Sequence, residues 1–237
     1  MNRVVITGMG VISPVGNDVR TFGENIFAGV SGIGPITRFD AADFKTKVAA
    51  EVRGFSPDAY GIDIGEARRM DLFTQYAMAA AQQAVSASGI VGAVEPERLG
   101  VYMGSGIGGM RTFVAETEKL LTRGPNRVSP LYIPMMIANI ASGNIAIRYN
   151  AQGPSLPVVT ACATSTNAIG EAYRAIRHGY ADAIIAGGSE ATVEPLGIAG
   201  FISCKALCET DDPESASLPF DARRTGFVMR EGAGAVV

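Results

Sequence analysis

Short apolar runs alternate with longer segments of helical spacing along the whole chain, and this alternation limits the fold more than any other feature. The runs lie in 3-RVVITGMGVISPVG-16, 99-LGVYMGS-105, 155-SLPVVT-160, 182-DAIIAGGSEA-191 and 232-GAGAVV-237. They are apolar on successive residues rather than on alternate ones, as in strands buried on both faces. Between them the spacing predicts helices over 18–29 with Asn17 as its cap, from about Met70 to Ser88 with Gly89 as its stop, near 111–121, over 132–147, and over 168–179 with Gly179 as its stop. Residues 34–64 are mixed, with a strand-like piece at 47-KVAAEV-52. Strands alternating with long helices predict an α/β protein with one five-stranded, mainly parallel sheet covered by helices. No composition break divides 1–237, so a single unit is expected. Its last run ends while still apolar, as in part of a larger protein.

The chain is 47% hydrophobic and 18% charged, with a net charge of −3 and both signs interspersed. That balance argues against a nucleic-acid partner. No uncharged apolar run reaches the roughly 18 residues of a membrane span. The opening MNRVVITGMG enters a strand without a signal-peptide layout. A soluble cytoplasmic protein, with no membrane partner, is the expectation. The odd count of three cysteines, Cys162, Cys204 and Cys208, argues against a disulfide framework. Cys204 and Cys208 would share one face of a helix, but further zinc ligands are lacking nearby, and both read as small packing residues. Gly104, Gly106 and Gly109 in 104-GSGIGG-109 have dinucleotide-loop spacing. The following chain near 129 reads VSPLYIP, with no strand ending in an acid. Close packing, or backbone meeting a ligand, explains these glycines better, and neither a metal nor a cofactor is expected.

Cys162 stands apart. It lies where the run 155–160 gives way to a helical segment, so it sits at or near a helix N-terminus, where free N–H groups and the positive dipole end favour a thiolate. Small neighbours (Ala161, Ala163, Thr164, Ser165) leave room for a carbonyl, and the Cys162 N–H can supply half of an oxyanion hole. The single histidine, His178, cannot serve as its base. Sixteen residues of helix put it roughly 24 Å away. In the last helical turn it suits the dipole's negative end instead.

The segments VVITGMGVISPVGN, RRMDLFTQYA, GSGIGG, SPLYIPMMIAN, TACATSTNAIGEAYRAIRHGYAD, AGGSEA, PLGIAGF and LPFDARRTGF…EGAGAVV occur in this order. Together they resemble the β-ketoacyl-acyl-carrier-protein synthases, over the family's N-terminal half. The resemblance implies a thiolase-like fold, of which 1–237 would be one of two similar halves, and a cysteine, here Cys162, that accepts an acyl chain from acyl carrier protein. It implies a decarboxylative condensation with malonyl-carrier protein, assisted by two histidines that belong to the other half. It further places Ile107 and Tyr132 at the acyl pocket, assigns Arg68, Arg69, Arg127 and Lys205 to carrier-protein docking, and implies a homodimer. The residues 1–237 alone would then not condense. A non-catalytic chain-length factor or carrier-docking fragment is the alternative, and a coenzyme A thiolase shares the fold. Leu218, Thr225 and Arg230 depart from the family's usual Arg, Asp and Gly in 217-SLPFDARRTGFVMREGAG-234.

Overall fold

The computed structural model describes residues 2–237. In chain order the principal elements are β1 (Met9–Ile12), α1 (Val19–Phe27), β2 (Gly34–Pro35), β3 (Val48–Ala49), α2 (Ile64–Ala67), α3 (Leu72–Ser88), β4 (Leu99–Gly104), α4 (Met110–Arg123), α5 (Tyr132–Met136), α6 (Ile140–Arg148), α7 (Thr164–Arg177), β5 (Ala183–Glu190), α8 (Pro195–Ser203) and β6 (Gly232–Val236). The α/β class is as the sequence predicts. The main sheet, however, has four strands in the order β1-β6-β5-β4. Only β4 and β5 pair in parallel, while β6 runs antiparallel to both neighbours. A run apolar on successive residues does not report direction, and the expected burial on both faces holds for β4 and β5 only, since β1 and β6 bury alternate residues.

The expected strand at 155–160 touches the sheet at one bridge, Ser155 beside Val101. Val101 N–H donates to Pro154 O (3.0 Å) and Leu156 N–H to Val101 O (3.1 Å). Pro154 and Pro157 flank this contact, and neither has an N–H with which to extend a ladder. The segment then leaves the sheet with Leu156 and Val159 exposed. The helix expected over 132–147 is two helices. Ile137 is extended (φ −67°, ψ 138°), which frees the Met136 carbonyl to accept from Gly109 N–H at 2.9 Å. The cap of α1 is Asp18 rather than Asn17, its carboxylate accepting from Thr21 N–H at 2.8 Å.

The core lies between the sheet and α3, which packs against β1, β5, β6 and α6. Asp71 caps α3, and Gly89 ends it in the left-handed region (φ 62°). Ala77, Ala79, Ala80, Ala81 and Ala84 of α3 are fully buried. Such small residues let backbones meet: a Cβ at Gly10 of β1 would overlap the Ala80 carbonyl oxygen. Helix α7 covers the other face at β4 and β5, through Ala168, Ala172 and Ala175 against Tyr102, Ile184 and Ala186. Both β4 and β5 thus point their C-terminal ends at the start of α7. Among the described residues, no helix is long and apolar enough to cross a membrane.

Candidate active site

Cys162 sits in a short 3-10 turn, Ala161–Ala163, that leads directly into α7. Three interactions pin the turn. Thr160 N–H donates to Thr164 Oγ1 (2.9 Å), Asn167 Nδ2 donates to Thr160 Oγ1 (2.7 Å), and Ala163 N–H donates to Thr160 O (3.1 Å). Ala161, just before the cysteine, has φ 50°. A left-handed alanine costs roughly 1–2 kcal/mol and persists only where its surroundings hold it. The Cys162 side chain is exposed. Its backbone N–H has no acceptor among the described residues, and an unpaired N–H beside a thiol can polarise a bound carbonyl.

The 104-GSGIGG-109 turn packs beside this cysteine, and its glycines serve close approach. A Cβ at Gly104 would overlap Val158 O and Thr164 Cγ2; one at Gly106 would stand 2.8 Å from Glu190 Oε2 and 3.6 Å from Ala161 Cα. One at Gly109 would stand 2.5 Å from Met135 O. The turn therefore joins the cysteine loop on one side to α5 on the other. It brings the elements carrying Ile107, Tyr132 and Cys162 together. Ile107 is 41% exposed at the turn's tip, and Tyr132 is half-buried at the start of α5.

Glu190 is a residue that the sequence reading passed over. It ends β5, where its carboxylate accepts from Ser105 Oγ (3.1 Å) and from Gly106 N–H (2.9 Å). Burial pushes its pKa up to about 7 against the pull of these donors, with the nearby Asp71 charge adding to the rise. The only signal in the sequence is an acid at the end of an otherwise apolar run. Asp71 itself accepts from Thr112 N–H (2.8 Å) and Thr112 Oγ1 (2.6 Å), tying α3 to the start of α4.

The other expected site residues are spread more widely. Arg68 and Arg69 are exposed at the end of α2, and Arg68 lines a cleft of about 670 Å³ together with Arg111, Asp71 and Met135. Arg127 is exposed beyond α4, a helix of 14 residues and so about 21 Å long. Lys205 is exposed after α8, with φ 55°. None of these four has an ion-pair partner among the described residues. His178 caps the far end of α7, about 21 Å from its start, so it stays remote from Cys162. Cys204 is exposed at the end of α8, whereas Cys208 lies beyond that helix, buried beside Val48 and Ala216. The two do not share a helix face, and burial pushes the Cys208 thiol up. Arg230 stands with its side chain exposed, so its bulk meets no obstacle; nothing in the structure explains Leu218 or Thr225.

The match to known proteins runs the full length of the chain. Residues 1–237 match the model of the β-ketoacyl synthase N-terminal domain. The chain belongs to the β-ketoacyl synthase family. The 3-oxoacyl-[acyl-carrier-protein] synthase 2 of Staphylococcus aureus (strain COL) is 49% identical over 236 residues, which are 99% of this chain and 57% of that protein. This β-ketoacyl synthase chain thus spans little more than half the length of that relative. A crystal structure of a β-ketoacyl synthase from Burkholderia phymatum STM815 superposes with a TM-score of 0.88 at 29% identity, covering all of this chain and 58% of the other. The ishigamide ketosynthase/chain length factor superposes with a TM-score of 0.86 at 33% identity, over 98% of this chain and 57% of that one. These neighbours support the thiolase-like fold.

Proposed function

We propose that residues 1–237 are the N-terminal half of a condensing enzyme, with Cys162 as its acyl acceptor and acyl carrier protein as its substrate-bearing partner. The observation that carries this reading is an exposed thiol with an unpaired N–H on a pinned turn at the head of α7. The Cys162 thiolate attacks the thioester carbonyl of the acyl-carrier protein, the Cys162 N–H stabilises the oxyanion, and the carrier thiolate leaves. The Cys162 thioester is then attacked by the carbanion left when malonyl-carrier protein loses CO₂, and the Cys162 thiolate is released. Ile107 and Tyr132 border the acyl chain, and Arg68, Arg69, Arg127 and Lys205 receive the acidic carrier. The exposed Ile133, Leu156 and Val159 are the face that pairs two copies as a homodimer. The protein works in the cytoplasm.

His178 is too remote to hold a malonyl thioester at Cys162, so residues 1–237 by themselves do not condense. Chain-length factors characteristically lack the nucleophile, so the intact Cys162 favours the catalytic reading over a non-catalytic one. The test is to supply the native protein with acyl- and malonyl-carrier protein and follow β-ketoacyl product by mass spectrometry. Product that vanishes in Cys162→Ala supports the reading. Product that persists in that variant overturns it.

A further inference from the structure

The turn that carries Ile107 is held from beneath by two side chains, Ser105 and Glu190. Ser105 is fully buried. Its hydroxyl both donates to Glu190 Oε1 and accepts from Gly108 N–H at 2.9 Å, while Gly106 N–H donates to Glu190 Oε2. The two Glu190 oxygens thereby fix both ends of the bend that precedes Ile107. On its other side Gly108 (φ 85°) and Gly109 fit against Met136 O and Met135 O, where a Cβ would stand 2.6 Å and 2.5 Å away, with Asp71 Oδ2 at 3.1 Å from the Gly109 position. Without Glu190 the bend keeps its glycines and loses its anchor. An acyl chain leaving the Cys162 sulfur starts beside this turn, because Gly106 abuts Ala161.

We propose that Glu190 is a positioning residue that sets which acyl chain lengths the site accepts, by holding the 105–108 turn and so fixing Ile107. The proposal rests on the reading of Cys162 as acyl acceptor. Glu190 touches no reacting atom; it acts through Ser105 and Gly106. Burial raises the pKa of its carboxyl to about 7, and glutamine is a close mimic of the protonated form. A glutamine oxygen accepts from Gly106 N–H and its amide donates to the Ser105 hydroxyl.

The experiment measures Cys162 acylation in the native protein with hexanoyl-, octanoyl-, dodecanoyl- and hexadecanoyl-carrier proteins, for the wild type, Glu190→Ala, Glu190→Gln and Ser105→Ala. In Glu190→Ala the ratio of long-chain to short-chain kcat/KM shifts by about tenfold, the size of effect that one methylene of pocket space produces. Ser105→Ala shifts it in the same direction without touching the acid, which covers the case where Glu190→Ala fails to fold. Glu190→Gln restores the wild-type ratio. A ratio unchanged in both Glu190→Ala and Ser105→Ala overturns the proposal, as does a uniform loss at every length. Wild-type protein that takes up no acyl group at any length contradicts the reading of Cys162 itself, and the proposal falls with it.

Discussion

Gly106 and Ala161 lie against each other: a Cβ at Gly106 would stand 3.6 Å from the Ala161 Cα. Through this contact the glycine turn after β4 supports the one strained residue beside Cys162. A branched side chain would fill the gap on both sides, since Glu190 Oε2 stands only 2.8 Å from the same Cβ position. Gly106→Val should therefore lower stability by about 2 kcal/mol and slow Cys162 acylation by at least about tenfold. Urea denaturation and acylation kinetics check the two effects; a variant as stable and as fast as wild type would refute the packing argument.

Glu190 makes stability depend on pH with an unusual sign. Its folded-state pKa of about 7 lies above the ordinary 4.5, so between these values the folded protein binds more protons than the unfolded chain. Stability then falls as pH rises through that window, and the penalty is complete above about pH 7. Glutamine cannot ionise. Relative to wild type, Glu190→Gln should gain up to roughly 3 kcal/mol on going from about pH 4 to about pH 8. Urea melts at the two pH values measure the difference, and a pH-independent difference would contradict it.

A second buried network ties the two ends of the chain together. Arg38 Nη2 donates to Glu231 Oε2 (2.6 Å) and to the Tyr76 hydroxyl (3.0 Å), and Val52 N–H donates to Glu231 Oε2 (3.2 Å). The Glu231 side chain is only 2% exposed. Arg38→Met leaves that carboxylate buried without its cation, held only by Val52 N–H and the Tyr76 hydroxyl, which should cost about 3 kcal/mol. A loss below about 1 kcal/mol in chemical denaturation would show that the pair is not a structural link.

Much of this architecture is legible along the chain because its signals are local. Gly89 and Gly179 stop their helices where expected, and Cys162 is found from an apolar run meeting a helical one. What escapes is non-local. Glu190 meets Ser105 and Gly106 across more than 80 positions, so no spacing rule brings them together. The direction of β6 is hidden because a short apolar run reads the same in either sense, and its burial, confined to Ala233 and Ala235, does not show in residues as small as these. The run 155–160 fails as a strand because two prolines and a single bridge set its pairing, which its apolar content does not report. Ile137 breaks the 132–147 helix to satisfy Gly109, again a partner far along the chain.

Leu156 (45% exposed), Val159 (53%) and Ile133 (54%) are the exposed apolar side chains assigned to the proposed homodimer. Burying several such side chains contributes about 1.5–3 kcal/mol each, so one buried charge should be enough to separate two copies. Val159→Glu is expected to convert the native protein from dimer to monomer at micromolar concentration, as read by light scattering. A dimer unchanged by this substitution would move the interface elsewhere.

The most direct test of the account is to find where an acyl group lands. The native protein is incubated with octanoyl-carrier protein, and its intact mass and peptide masses are measured beside those of Cys162→Ala. The account predicts a gain of one octanoyl group, carried on the peptide that contains Cys162 and absent from the variant. Octanoylation at Cys204, or an equal gain in Cys162→Ala, would contradict it.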